Sequence, residues 1–224
     1  MNKRLSMDTT EPHDYIPPEE KLRQSTAYSL TEIFDLCGSD KGTIDNAHRY
    51  GDQYSKLLAC LPHDLTITEI GVACGASLRA FSIYRPHATI YGYDIREECK
   101  NLLKDRNNTS ILIQDCTKKS ISHPSHLIID DGSHIAEDIV ETFKLSWEKL
   151  IPGGFYVIED LACSYNPLYT EKHNKIFSRS VRNDRRYFLK FLDGLMIACD
   201  QQHIHGVETF TYHKELLAIH KSQR

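Results

Sequence analysis

Apolar positions in this chain fall into two rhythms. Short, nearly continuous apolar runs occur at about Thr66 to Val72, Thr89 to Ile95, Thr109 to Gln114, His126 to Asp131 and Gly154 to Asp160. Runs of that length and continuity predict strands buried on both faces. Between them, the segments Ala76 to Tyr84, Arg96 to Lys104 and Ile135 to Leu150 carry helical spacing, and the last sets Phe143, Trp147 and Leu150 on one face. Strand and helix alternating with short connections predict an α/β, doubly wound parallel sheet. Beyond Asp160 the rhythm breaks into a loop rich in Tyr, Asn and Pro, followed by a helix at about Arg182 to Met196. Val207 to Tyr212 and Leu216 to His220, separated by His213-Lys-Glu215, then predict a hairpin closing the sheet antiparallel. The whole reads as a Rossmann-like sheet of seven strands.

The N-terminal part follows a different logic. Residues 1–27 are polar, contain proline and lack periodicity, which predicts a flexible tail. Ser29 with Glu32 three residues on forms a capping box opening a helix through Ile33, Phe34 and Leu36 that stops at Cys37-Gly38. A second helix ends before Pro62. The expected organisation is one domain over residues 28–224, with a helical lid at 28–62 and the Rossmann-like core at 63–224.

Composition narrows the class. The 224 residues are 40% hydrophobic and 26% charged with a net charge of -4, an ordinary globular balance that does not suggest a polyanion partner. Seven scattered cysteines without a Cys-x-x-Cys pair read as reduced thiols and offer no zinc site. The N-terminus has no apolar signal region and no run approaches membrane-spanning length, so a cytoplasmic protein without membrane contact is expected.

The chemistry concentrates where strands end. Leu127 to Ile129 runs into Asp130, Asp131, Gly132, Ser133 and His134, and the next strand ends in Glu159 and Asp160. A crossover helix between them makes the two strands parallel neighbours, so Asp131, Glu159 and Asp160 gather at one point with His134 beside them. Unpaired, that much negative charge is costly to hold together; a divalent cation makes it favourable. Taken alone, Asp-Gly after a strand is common turn chemistry. Its pairing with Glu159-Asp160 at the crevice-lining ends of parallel strands favours the site.

Glu69-Ile-Gly71-Val-Ala-Cys-Gly75-Ala-Ser77 leaves the first strand and opens a helix, the place where glycines admit a ligand to a helix N-terminus. Its spacing departs from the nicotinamide fingerprint and resembles the S-adenosylmethionine loop of class I methyltransferases. Asp94, about 20 residues on, stands where a ribose-binding acid belongs. Asp115 closes the third strand, with an ordinary turn residue as its competing reading. Asp40, Lys41, His48 and Tyr50 lie in a polar loop that is either a lid over a ligand or turn chemistry between two helices.

Gly38-Ser-Asp-Lys41 with His48-x-Tyr50-x-x-x-Tyr54, Glu-Ile-Gly-Val, Ile-Ile-Asp-Asp-Gly-Ser-His, Pro152-Gly-Gly-Phe-Tyr-Val-Ile-Glu-Asp160 and Ser164-Tyr165 together resemble the magnesium-dependent sugar O-methyltransferases of macrolide biosynthesis. The resemblance runs from about Leu30 to the C-terminus. It implies S-adenosylmethionine and Mg2+ as cofactors, Asp131, Glu159 and Asp160 as metal ligands, and His134 as general base with Asp131 beside it. Glu69, Gly71, Gly75, Ser77, Asp94 and Asp115, joined by Asp130 and Lys41, form the expected cofactor set. His48, Tyr50 and Tyr165 fall on the substrate side. The implied partner is a small sugar or glycoside, and a homo-oligomer is compatible with it.

Between Lys172 and Lys190, Lys175, Arg179, Arg182, Arg185 and Arg186 stand against Asp184 alone. Either this is a solvated helix face, or Arg182 and Arg186 read an anionic sugar. Two rival functions are a catechol-type phenol O-methyltransferase and a non-catalytic cofactor-binding module; nucleic acid methylation is disfavoured by the acidic balance.

Overall fold

The computed structural model of the protein describes residues 28–44, 47–176, 185–201 and 206–223, so the expected tail over 1–27 lies outside the described residues. Helices α1 (Leu30–Leu36) and α2 (Gly51–Ala59) precede β1 (Thr66–Ile70), α3 (Ala76–Tyr84), β2 (Thr89–Asp94), β3 (Thr109–Ile113), β4 (Ser125–Asp130), α4 (Ala136–Ser146) and β5 (Leu150–Ile158). Helices α5 (Pro167–Ile176) and α6 (Arg185–Asp200) follow, then β6 (Val207–His213) and β7 (Leu216–Lys221). One sheet runs β3-β2-β1-β4-β5-β7-β6. β1 to β5 pair parallel, and β7 joins β5 and β6 antiparallel, as the closing hairpin predicted.

The sheet is covered on both faces. Ile67, Leu127, Ile129 and Val157 project toward α1, α2 and α3, where Leu30, Ile33, Phe34, Leu58 and Phe81 complete a buried cluster. Phe34 and Tyr54 each meet the edge of Phe81, with ring centroids 5.3 and 5.4 Å away. Burial of each such aliphatic or aromatic side chain contributes roughly 1.5–3 kcal/mol, which fixes the two N-terminal helices to the sheet. On the opposite face Ile128, Tyr156, Ile158, Leu217 and Ile219 pack with Ile139 of α4 and Phe188 and Leu195 of α6. The α1 start is the capping box read from the sequence: Ser29 Oγ accepts from the Glu32 amide, and the Glu32 carboxylate accepts from the Ser29 amide at 2.7 Å.

Three elements differ from expectation. The helix expected over Arg96 to Lys104 is a short 3-10 turn at Glu97–Asn101. The Asp94 carboxylate captures the Arg96 amide at 2.9 Å and Leu103 adopts a left-handed backbone (φ 60°), so regular helix cannot extend at either end. α4 stops at Ser146 and passes through a 3-10 turn at Trp147–Lys149, and Leu150 already opens β5. The segment expected to be a loop after Asp160 contains α5, whose start is set by Asn166 Oδ1 accepting from the Leu168 and Tyr169 amides with Pro167 at the first helical position.

Candidate functional site

Strand alternation decides which carboxylates share a face. Glu69 registers with Ile129, and Ile129 with Val157, so Glu69, Asp131 and Glu159 all continue the row that faces α1 and α2. The pairing persists past the labelled strand ends, with the Asp131 amide donating to the Ile70 carbonyl at 2.9 Å and the Glu159 amide to the Asp130 carbonyl at 3.0 Å. Asp130 falls on the opposite face, buried near Tyr156, whose hydroxyl donates to it at 3.4 Å. Burial pushes the Asp130 carboxyl up to about 7.

Into the row of three carboxylates the loop between α1 and α2 inserts Lys41. Its Nζ donates to Asp131 Oδ2 at 2.6 Å and Glu159 Oε2 at 2.8 Å, and lies 3.4 Å from Glu69 Oε1, with the side chain 1% exposed. Burial works against the charge on this lysine, but Asp131, Glu159 and Glu69 outweigh it and hold its pKa well above the ordinary value. The loop is anchored on either side: the Lys41 carbonyl accepts from the Tyr50 and Gly51 amides, and Asp35 accepts from Thr43 Oγ1 at 2.7 Å. Lys41, expected at the cofactor, is therefore spent inside the carboxylate cluster.

Glu159, expected among the metal ligands, faces inward. Lys41 takes one of its oxygens and the Tyr54 hydroxyl donates to the other, leaving the residue 2% exposed. Burial pushes its carboxyl well up while Lys41 pulls against that shift. Glu69 is likewise closed off: Ser77 Oγ donates to it at 2.6 Å, tying β1 to the first turn of α3, and burial pushes its carboxyl up to about 7. Glu69 thus braces the glycine loop from beneath, and of that loop Gly71 and Ala73 face the cleft while Gly75 does not line it.

What remains open is a group of three. Asp131, His134 and Asp160 each present a ligand atom within 4.8 Å of the others, and His134 Nε2 lies 3.9 Å from Asp131 Oδ1, the oxygen Lys41 leaves free. Asp160, one residue on from Glu159, lies off that row by alternation alone, and its left-handed backbone (φ 53°) ends the strand geometry where it joins Asp131 and His134. His48 and Tyr50, expected on the substrate, hold Asp160 instead: Tyr50 Oη donates at 2.9 Å and His48 Nδ1 lies 3.2 Å away. Tyr50 is buried, and burial raises its phenol far beyond the usual range, so it stays a donor. His48, Asp160 and Glu215 form a second group of the same spacing. Two carboxylates and an imidazole, with Asp131 and His134 bordering an open cleft, suit a divalent cation that keeps part of its water shell or takes substrate oxygens.

The cleft holds about 770 Å³ and runs along the C-terminal ends of β1 to β5. On the β2–β3 side it is lined by Gly71, Ala73, Asp94, Ile95 and Asp115; on the β4–β5 side by Asp130, Asp131, His134, Asp160 and Tyr169. Gly71 is left-handed (φ 94°), and a Cβ there would overlap the Asp131 carbonyl oxygen, so only glycine lets the first loop pass the IDDG turn. Gly75 opens α3, also left-handed (φ 81°). Asp94 accepts from the Val72 and Ala73 amides at 3.0 and 3.2 Å and from Arg96; burial opposes its charge, but these donors keep its carboxyl below the usual range. Asp115 makes the expected turn, accepting from Thr117 Oγ1 at 2.6 Å, and still borders the cleft.

Helix α5 brings Tyr169 and His173 to the cleft from a segment whose composition predicts a loop. Asn166-Pro167, a cap residue before a first-turn proline, was the signal for it. Arg182 lies outside the described residues, and Arg186 is exposed on α6 away from the cleft lining. Tyr165 ends the 3-10 turn Leu161–Tyr165. A separate apolar groove of about 460 Å³ between α4 and α6, lined by Phe143, Trp147, Phe191 and Leu195, carries no carboxylate or histidine among the described residues.

The strand order, the antiparallel hairpin and the glycine loop at the head of the cleft define the fold of class I S-adenosylmethionine-dependent methyltransferases. More particularly, the chain resembles the sugar O-methyltransferases of macrolide and other glycosylated natural products at about 30% identity. The 8-demethyl-8-alpha-L-rhamnosyl tetracenomycin-C 2'-O-methyltransferase of Streptomyces olivaceus is 31% identical over 171 residues, covering 70% of this chain and 43% of that protein. Mycinamicin VI 2''-O-methyltransferase of Micromonospora griseorubida is 32% identical over 182 residues, covering 66% and 45%. The chain thus spans less than half the length of these curated relatives. The MycE methyltransferase of the mycinamycin pathway, solved with Mg, SAH and mycinamycin VI, superposes with a TM-score of 0.70 at 20% identity over 92% of this chain and 63% of that one. No protein-family model matches the chain. Among the described residues, no helix is long and apolar enough to cross a membrane.

Proposed function

We propose that the protein transfers a methyl group from S-adenosylmethionine to a hydroxyl of a sugar or glycoside, with Mg2+ held by Asp131 and Asp160. The observation that carries this is the convergence of Asp131, His134 and Asp160 at the β4–β5 side of a cleft whose other side has the glycine loop and Asp94. The relatives are named as sugar O-methyltransferases, and the MycE structures as holding Mg and SAH.

The difficulty of the reaction explains the donor set. A sugar hydroxyl is a far weaker acid than an imidazolium, so a histidine alone cannot ionise a sugar alcohol before attack. When bound, S-adenosylmethionine supplies the electrophilic methyl and Mg2+ lowers the pKa of a coordinated hydroxyl. The chain's part is to orient and to accept a proton. Magnesium prefers oxygen, so Asp131 and Asp160 take the ligand role and the His134 nitrogen stays available as acceptor at a hydroxyl lying between them. Lys41 and Tyr50 hold the two carboxylates in fixed orientation, and Glu159 braces Lys41 from behind. Gly71, Ala73, Asp94 and Asp115 serve the nucleoside part of the cofactor, Asp94 by exchanging its partly exposed Arg96 side-chain donors for a ribose hydroxyl.

Mass spectrometry of a panel of glycosides, nucleotide sugars and catechols incubated with protein, cofactor and Mg2+ tests the reading. A product 14 Da heavier on a sugar hydroxyl, lost in EDTA and restored by Mg2+, is expected. Methylation confined to catechols would replace the acceptor class, and full turnover in EDTA would remove the metal.

A further inference from the structure

His134 stands on an unusual footing. Its backbone is left-handed (φ 55°), a conformation that L side chains rarely adopt, in the turn that follows β4. Within the turn Ser133 Oγ accepts from the Ile135 amide at 3.3 Å. From the same side of the cleft Tyr169 of α5 donates its hydroxyl to the Ser133 carbonyl at 3.2 Å. That carbonyl belongs to the peptide unit whose amide is His134's own, so its orientation fixes the direction in which the imidazole leaves the chain. Tyr169 is itself fixed: Asn166 Oδ1 accepts from its amide at 3.3 Å, its ring stacks on His173 with centroids 6.4 Å apart, and it borders the cleft 6.0 Å from the His134 ring.

We propose that Tyr169 is the positioning residue for His134: its hydroxyl, acting through the Ser133 carbonyl, holds the left-handed turn that aims the imidazole at Asp131. The inference rests on His134 being the proton acceptor of the proposed transfer. A hydrogen bond within a half-buried contact is the whole coupling, so its removal shifts an opening equilibrium modestly, and the ring of Tyr169 can remain in place while the coupling is broken.

Tyr169→Phe keeps the ring and deletes the hydroxyl. In the ligand-free protein, hydrogen exchange over residues 131–136 is expected to quicken roughly threefold to tenfold, with the rest of β4 and α4 unchanged. With substrate, kcat is expected to fall by a similar factor while KM for the acceptor holds. Tyr169→Leu, which also removes the ring, is expected to raise KM in addition. Unchanged exchange in Tyr169→Phe, or a rise in its KM with kcat intact, overturns the proposal. If the wild-type protein methylates no sugar while Tyr169→Phe still loosens 131–136, the positioning stands and the sugar reading falls.

Discussion

Replacing Lys41 with methionine tests the electrostatic centre of the site. Methionine preserves most of the length and apolar stem but removes an ammonium that is 1% exposed and contacts Asp131 at 2.6 Å and Glu159 at 2.8 Å. At an effective dielectric of about 20, each contact is worth about 6 kcal/mol of gross attraction, opposed by several kcal/mol of desolvation per ion. Removing one partner leaves Glu159, Asp131 and Glu69 facing one another without a counter-charge, and breaking a buried pair this way costs about 3–5 kcal/mol. In urea denaturation that corresponds to a midpoint lowered by roughly 1–2 M. The double variant Lys41→Met with Glu159→Gln is expected to recover at least about 1 kcal/mol, because the amide is neutral and still accepts from Tyr54. A loss below about 1 kcal/mol for Lys41→Met, or no recovery in the double variant, would refute the assignment of Lys41 as internal counter-ion.

Two further outcomes follow from the cleft. Gly71→Ala drives a methyl into the Asp131 carbonyl from a left-handed backbone, so it should cost about 2 kcal/mol or more in stability and abolish S-adenosylmethionine binding by calorimetry. Asp94→Asn should weaken cofactor binding about tenfold or more. Because donors hold the Asp94 carboxyl below its ordinary value, its stabilisation is present above about pH 4 and lost as the pH falls through the lower folded value. The stability gap between wild type and Asp94→Asn should therefore narrow from pH 5 to pH 2, and a gap that widens in acid would contradict the pairing with Arg96.

The sheet was legible because its strands are continuous apolar runs bounded by charge, and the hairpin because His213-Lys-Glu215 separates two β-rich stretches. α3 matches its predicted bounds at Ala76–Tyr84. Residues 96–104 looked helical by spacing alone, but Asp94 competes for the Arg96 amide, a side-chain contact that periodicity does not register. α5 was hidden by weak amphipathicity behind a Tyr-, Asn- and Pro-rich composition. Gathering of the acidic strand tips was readable from topology; their division of labour was not. Lys41, His48 and Tyr50 reach the carboxylates from more than a hundred residues away in sequence for Tyr50 and Asp160. Alternation separates the carboxylates, since Glu69, Asp131 and Glu159 share one strand face and Asp160, the next residue, does not; its left-handed backbone is a feature that composition does not announce.

Calorimetric titration of Mg2+ into the protein saturated with S-adenosylhomocysteine measures the central claim most directly. The account predicts one ion per chain, lost in both Asp131→Asn and Asp160→Asn, and retained within a few-fold in His134→Gln. Binding that survives Asp160→Asn, or no binding by the wild-type protein, would contradict it.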